Sequence, residues 1–180
     1  MAIVWLANLP PAMARSLEHE NPAEALRLLD MKISYFEAGA VATVLYAVAE
    51  PPYTRFVVSL AGHLPPYLVS ADGSAWATDV LPDPPLGVPS VSHDSWSRHA
   101  ATVQVPAGAS LCLFTDGLVE RRPTARDIEA DQLGQGLSRL VGALRPGDAE
   151  AACDAILDEL VGDEITEDDI AVLVLRPLTP

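Results

Sequence analysis

Residues 21–39 carry the clearest helical pattern in the first third of the chain. Asn21 is a residue type that caps helices, Pro22 suits the first helical position, and Glu24 places an acid in the first turn. Apolar residues then recur at helical spacing and form one face: Leu26, Leu29, Ile33 and Phe36. Gly39 is typical of a residue that ends a helix. The pattern predicts an amphipathic helix that ends at Gly39.

Short apolar runs separated by turn residues occupy the middle of the chain. The turns contain Pro51-Pro52, Asp72-Gly73 and Pro106-Ala107-Gly108. They predict three hairpins, formed by residues 41–48 with 55–60, residues 67–70 with 74–80, and residues 102–105 with 110–114. Residues 81–89 are rich in proline and predict an extended surface loop. Residues 3–7 are compatible with one more short strand.

The last third of the chain predicts two helices and a final strand. The first helix has an apolar face, weakened at its start by two glycines, Gly134 and Gly136; the face consists of Leu133, Leu137, Leu140, Val141 and Leu144. Asp148 caps the second helix, whose inward residues are Ala152, Ile156 and Leu160. Residues 170–175 form a continuous apolar run of strand length. Together the elements predict one α/β (α+β) domain of mostly antiparallel strands with helices packed outside.

The charge balance limits the classes of partner. The 180 residues contain 11 Lys and Arg but 25 Asp and Glu, which is a formal net charge of −14. A surface this acidic repels phosphate backbones and anionic lipids, so we expect neither nucleic acid nor a membrane as a partner. No apolar run approaches the roughly 18 residues of a membrane span, and the first residues lack the positive region of a signal peptide. We therefore expect a cytoplasmic protein.

Most nucleophiles and metal ligands of other enzyme classes are missing from the sequence. No serine lies in a Gly-x-Ser-x-Gly motif, and Lys32, the only lysine, is in no phosphate-binding loop. The four histidines lack the spacing of a zinc site. Cys112 lies inside a strand-like run, where a thiol is buried and inert. A disulfide between Cys112 and Cys153 is compatible with the sequence, but nothing in it favours one.

Carboxylates are the remaining candidates for chemistry. Asp116 follows the apolar run 110–115 and precedes Gly117, while Glu167, Asp168 and Asp169 directly precede the run 170–175. Adjacent acids repel one another, and a Mg²⁺ or Mn²⁺ ion, which prefers oxygen ligands, would offset that repulsion. The alternative is an ordinary Asp-Gly turn or helix cap at Asp116 and a solvated acidic loop before the last strand. The residues alone leave both interpretations open.

Five short motifs occur in a fixed order along the chain. They are Ala-Thr-Val-Leu-Tyr-Ala (42–47), Ala-Gly-His-Leu-Pro-Pro (61–66), Pro-Pro-Leu-Gly-Val (84–88), Phe-Thr-Asp-Gly-Leu-Val-Glu (114–120) and Asp-Asp-Ile-Ala-Val-Leu-Val (168–174). Their order and spacing resemble the SpoIIE/RsbU-type serine phosphatases, a bacterial branch of the metal-dependent, protein phosphatase 2C-like superfamily. The resemblance covers residues 12–176 and leaves residues 1–11 unassigned and residues 177–180 as a tail.

The resemblance implies a fold and a reaction. The fold is an α-β-β-α sandwich of two mostly antiparallel sheets flanked by helices. In the family, two Mg²⁺ or Mn²⁺ ions activate a water that attacks a phosphoserine or phosphothreonine, without a covalent intermediate. By motif, Asp116 and Asp168 match metal ligands, Asp169 lies beside Asp168, and Gly117 permits the turn. The matched residues Gly62, His63 and 85–87 are interpreted as structural. The implied partner is a phosphorylated regulatory protein of the anti-anti-sigma type.

The chain also departs from the family pattern. An Asp-x-Ser-Gly-His-Gly-type segment, which supplies the Asp that bridges both metals, is not found in the sequence, so we expect an N-terminally truncated domain. Such a domain is expected to have little or no phosphatase activity, and its exposed sheet edges favour a homodimer. Three alternatives to an active phosphatase remain: a degenerate phosphatase that serves as a protein-binding module, an incomplete gene product, and an unrelated acidic α/β domain.

Overall fold

The computed structural model describes residues 2–7, 20–37, 39–88, 97–120, 131–162 and 169–177, with the backbone alone for 2–7. Within these ranges, the chain forms three helices and two four-stranded antiparallel sheets. This confirms the predicted α+β class. The chain divides into two compact units, Met1–Pro65 with Asp79–Gln104, and Pro66–Thr78 with Val105–Pro180. In the described ranges, no helix is long and apolar enough to cross a membrane.

The first unit contains one sheet, with the strand order β1-β2-β3-β6. Its strands are β1 (Ala2–Ala7), β2 (Val44–Ala49), β3 (Arg55–Ala61) and β6 (Ala101–Gln104). The predicted hairpin of β2 and β3 is confirmed, and all six residues of β2 are buried. The strand expected at residues 3–7 is also present, because β1 pairs with β2 along its whole length.

Helix α1 (Pro22–Phe36) packs against β2 and β3. As predicted, Asn21 caps it, and its side-chain oxygen accepts hydrogen bonds from the backbone N–H groups of the next turn. The buried face comprises Ala25, Leu26, Leu29 and Ile33. Two details of the prediction are wrong: the helix ends at Phe36 rather than at Gly39, and Phe36 is 71% exposed. At the last helical position the Phe36 ring lies edge-on against Tyr35, outside the buried face.

Two glycines allow the predicted proline-rich loop to pack tightly against the rest of the unit. A methyl group added at Gly62 would lie 2.5 Å from Cγ of Pro85, and one at Gly87 would lie 1.9 Å from the carbonyl oxygen of Ala40. Both glycines also have positive φ. Leu86, which directly precedes Gly87, is fully buried. The prediction of a surface loop is therefore wrong for the centre of this segment, since Leu86 pairs with Ala42 and packs in the core beside the buried face of α1.

An ion pair joins α1 to the same segment. Asp30 on α1 accepts a hydrogen bond from the Gly87 N–H at 2.8 Å and pairs with the guanidinium of Arg98 at 2.8 Å. Arg98 also donates to the carbonyl oxygen of Pro84 at 2.7 Å, and only 1% of its side chain is exposed. The Pro-Pro-Leu-Gly-Val motif thus has a structural role, as predicted, in closing the first unit.

The second unit contains the other sheet, with the order β5-β4-β7-β8. Its strands are β4 (Tyr67–Val69), β5 (Ala75–Ala77), β7 (Ser110–Phe114) and β8 (Val172–Leu175). The hairpin predicted around the turn at 106–108 is wrong, because β6 pairs with β3 and β7 pairs with β4 and β8. The burial explains this outcome: every residue of β7 is buried, so β7 needs neighbours on both edges, whereas β6 is half exposed.

Two helices complete the second unit, α2 (Gln132–Ala143) and α3 (Ala149–Leu160). The prediction for α3 is confirmed, with Asp148 as the cap and Ala152, Ile156 and Leu160 buried. The face predicted for α2 is partly wrong, because Val141 is exposed and Gly136 is buried. Both cysteines are free thiols, Cys112 buried and Cys153 partly buried.

Candidate metal centre

The pairing of β7 with β8 brings two acidic segments to one end of the second sheet. The strands are antiparallel, and the last paired residues are Phe114 and Val172. The C-terminal end of β7 therefore lies beside the N-terminal end of β8. Asp116 follows β7 by two residues, and Asp169 precedes β8 by three. Asp168, the third acid predicted as a ligand, lies outside the described residues.

A 3₁₀ turn, Asp116–Leu118, fixes the backbone at Asp116. The carbonyl oxygen of Thr115 accepts a hydrogen bond from Leu118 N–H at 3.1 Å, and that of Asp116 accepts from Val119 and Glu120 at 2.9 and 2.8 Å. Gly117 lies inside this turn, and its N–H donates to Oδ1 of Asp116 at 3.0 Å. The remainder of the Asp116 side chain is exposed to solvent. The turn thus presents a carboxylate on a backbone held by three backbone hydrogen bonds, and a fourth bond orients the carboxylate itself.

Gly136 on α2 packs directly against the residue that follows this turn. A methyl group added at Gly136 would lie 2.0 Å from the carbonyl oxygen of Val119. The side chains of Leu118 and Val119 are buried. The helical pattern predicts only that Gly136 weakens the helix. A glycine inside a helix lowers its stability by about 1 kcal/mol, so its presence there indicates that another part of the chain packs closely against it.

Thr115 connects the two acidic segments and was also missed in the sequence. Its N–H donates to the carbonyl oxygen of Ala171 at 3.0 Å. Its hydroxyl accepts from the N–H of Ala171 at 2.9 Å and donates to the carbonyl oxygen of Asp169 at 3.1 Å. No local sequence pattern predicts this role, because it depends on a hydrogen bond to a residue 56 positions away in the chain.

The donor types at this end of the sheet fit a hard divalent cation. Asp116 and Asp169 both offer exposed carboxylates, and oxygen ligands are those that Mg²⁺ and Mn²⁺ prefer. Over the described ranges, no group of three or more His, Cys, Asp or Glu side chains is arranged to hold a metal ion. The described residues therefore provide two carboxylates, and Asp168 is adjacent in sequence to one of them.

The one thiol close to this region is unsuited to nucleophilic attack. Cys112 lies four residues before Asp116, in the middle of β7, and is fully buried. Burial, together with a smaller effect of the neighbouring Cys153, raises the pKa of the Cys112 thiol to about 12. The thiol is therefore protonated at neutral pH, which agrees with the inert cysteine expected from the sequence.

Comparison with known proteins identifies the family. The model of the family "Stage II sporulation protein E (SpoIIE)" matches residues 7–177. Among solved structures, the RsbU and RsbW domains of Rv1364c from Mycobacterium tuberculosis are similar, with a TM-score of 0.73 and 22% identity over 99% of this chain and 52% of that one. The PP2C phosphatase domain of SpoIIE from Bacillus subtilis, with a fragment of its regulatory domain, has a TM-score of 0.67 and 13% identity, over 97% and 52%.

A third similar structure is the catalytic domain of the serine/threonine protein phosphatase PstP in complex with two manganese ions. Its TM-score is 0.55 and its identity 15%, over 96% of this chain and 85% of that one. This chain spans about half the length of the first two structures. No curated protein matches the sequence. Identities this low show the fold alone, whereas the family match covers nearly the whole sequence. The chain therefore belongs to the SpoIIE family, as a SpoIIE/RsbU-type domain with a PP2C-like fold.

Proposed function

We propose that this chain is a metal-dependent protein serine/threonine phosphatase domain that acts on a phosphoserine of a regulatory protein. Asp116, Asp168 and Asp169 are the proposed ligands of Mn²⁺ or Mg²⁺. The observation that carries the proposal is the β7–β8 register, which places the turn at Asp116 beside the segment that contains Asp169. The family match and the manganese-bound PstP structure support it.

In this proposal, the chain's own residues bind the metal ion and orient its ligands. The 3₁₀ turn holds the Asp116 carboxylate at the end of β7, and Thr115 ties that turn to the backbone of Asp169. When bound, the metal would supply a water of lowered pKa and offset negative charge on the phosphate. A side-chain nucleophile is then unnecessary, in agreement with the protonated Cys112 thiol.

The proposed substrate is a phosphorylated regulatory protein of the anti-anti-sigma type. Support comes from the similarity to the Mycobacterium tuberculosis structure, in which an RsbU domain is accompanied by an RsbW domain. A chain with a net charge of −14 repels a phosphoprotein at long range. A bound cation would reverse that repulsion locally, so we expect binding of the phosphoserine, as well as its hydrolysis, to require metal.

The test is the turnover of a phosphoserine peptide with and without Mn²⁺. The Asp116→Asn variant removes a proposed ligand charge, and Asp148→Asn is the matched control. Asp148 is an exposed helix cap that Asn replaces well, and it adjoins Gly147, which bonds Arg176 beyond the far end of β8. On this proposal, Mn²⁺-dependent turnover, even at a low absolute rate, falls by at least about tenfold in Asp116→Asn and is unchanged in Asp148→Asn. Equal turnover in both variants would refute the assignment.

A second function, a phosphatase-like module that binds a partner without turnover, is favoured by one observation. The 180-residue sequence contains no Asp-x-Ser-Gly-His-Gly-type segment, which supplies the bridging Asp in the family that the chain resembles. The release of phosphate separates the two functions, because only the enzyme produces it. Mn²⁺-dependent binding of the phosphopeptide with no release of phosphate would support the module over the enzyme.

A further inference from the structure

Thr115 makes an unusual connection between the ends of two strands. It lies directly after β7, opposite Ala171, the residue that directly precedes β8. Opposite residues in an antiparallel ladder either exchange two backbone hydrogen bonds or exchange none. Thr115 makes the first of these bonds, since its N–H donates to the carbonyl oxygen of Ala171 at 3.0 Å. The second bond would need the carbonyl oxygen of Thr115 as the acceptor.

That carbonyl oxygen is used elsewhere, by the turn that carries Asp116. It accepts from Leu118 N–H at 3.1 Å. The Thr115 hydroxyl replaces it as the acceptor for Ala171 N–H, at 2.9 Å. The same hydroxyl then donates to the carbonyl oxygen of Asp169 at 3.1 Å. The side chain therefore lets β7 turn sharply at Asp116 while the segment before β8 stays paired.

We propose that Thr115 is a positioning residue that sets the separation between Asp116 and Asp169. The proposal rests on the metal site described under Proposed function. The hydroxyl must accept and donate at once, so serine can replace it and valine, which has the same shape, cannot. Residues that orient metal ligands through hydrogen bonds typically contribute about 10- to 100-fold to metal affinity.

The experiment compares Thr115→Val, Thr115→Ser and the wild-type chain. Thr78→Val is the control, because the Thr78 hydroxyl also bonds one backbone carbonyl, that of Pro66, at 2.9 Å, two strands away from β7 in the same sheet. The first measurement is the Mn²⁺ dissociation constant, obtained by electron paramagnetic resonance of free Mn²⁺. The second is the hydrogen-exchange rate of the Ala171 amide without metal, obtained by NMR.

In Thr115→Val, we expect Mn²⁺ affinity to fall by about 10- to 100-fold and the Ala171 amide to exchange at least about tenfold faster. Thr115→Ser and Thr78→Val should match the wild type in both measurements. Unchanged Mn²⁺ affinity in a folded Thr115→Val, or a loss in Thr115→Ser equal to that in Thr115→Val, overturns the proposal.

The two measurements separate the failure of this proposal from the failure of the proposed function. A wild-type chain that binds no Mn²⁺ refutes the metal site, and the positioning role with it. If the wild type binds Mn²⁺ and Thr115→Val accelerates Ala171 exchange without changing the affinity, the proposed function stands. In that case Thr115 only holds the backbone, and the positioning proposal alone is refuted.

Discussion

Replacement of Gly136 by alanine tests the contact between α2 and the turn at Asp116. The added methyl group would lie 2.0, 2.7 and 2.9 Å from the carbonyl oxygen, carbonyl carbon and Cα of Val119. Real Cβ atoms essentially never approach other atoms within 3.0 Å, so the helix and the turn must separate by about 1 Å. All three atoms belong to the backbone, which cannot rotate away as a flexible side chain can.

Two opposing terms set the magnitude. Overpacking of this kind costs about 1–3 kcal/mol, and the rigid backbone places Gly136→Ala near the upper end. Alanine regains about 1 kcal/mol of helix propensity over glycine. We therefore expect Gly136→Ala to lower the free energy of unfolding by about 1–2 kcal/mol. The turn must also move, so Mn²⁺ affinity should fall with stability.

Gly142 provides the matched control in the same helix. Nothing lies within 4 Å of a methyl group added there, so Gly142→Ala should raise the free energy of unfolding by about 0.5–1 kcal/mol and leave Mn²⁺ binding unchanged. Urea unfolding followed by circular dichroism measures both variants. If Gly136→Ala is as stable as Gly142→Ala, then α2 does not contact the turn as described.

Two further predictions concern buried groups. Asp30→Asn keeps an acceptor for Gly87 but removes the negative charge that pairs with the buried Arg98 guanidinium, so urea unfolding should show a loss of about 3 kcal/mol; a loss below about 1 kcal/mol would contradict this. Iodoacetamide at pH 8 should modify Cys153 in the folded chain and Cys112 only after unfolding, as counted by mass spectrometry. The pKa of Cys112 is raised to about 12 in the folded chain, so the protonated thiol contributes fully to the free energy of unfolding below pH 9. This contribution is lost as the pH rises from 9 to 12. A Cys112→Ala variant with the same loss of stability at alkaline pH would show that Cys112 is not its cause.

Local patterns predicted the elements whose partners are close in sequence. The cap at Asp148 and the spacing of the buried residues of α3 required only helical geometry. The β2–β3 hairpin required only a short turn between two apolar runs. The same rule failed for β6 and β7, because β7 is buried along its whole length and pairs with β4 and β8. That competition between partners cannot be read from the intervening turn.

The sequence was sufficient to propose the carboxylates of the candidate site, but not the residues that hold them in place. Asp116, Asp168 and Asp169 stood out because they adjoin apolar strand-like runs, and the family resemblance matches Asp116 and Asp168 to metal ligands, with Asp169 beside Asp168. Thr115 and Gly136 were missed, since their roles arise from contacts with Ala171 and Val119, on other segments of the chain. A threonine at a strand end or a glycine in a helix is common in proteins, and only the folded structure shows which of them make specific contacts.

Mn²⁺ titration of the wild type, Asp116→Asn, Asp168→Asn and Asp148→Asn tests the central claim most directly. Electron paramagnetic resonance of free Mn²⁺ gives the affinity independently of any substrate. We predict that the wild type and Asp148→Asn bind Mn²⁺ equally, and that Asp116→Asn and Asp168→Asn each bind it at least about tenfold more weakly. Equal affinity in all four proteins would contradict a metal site at the β7–β8 end of the sheet.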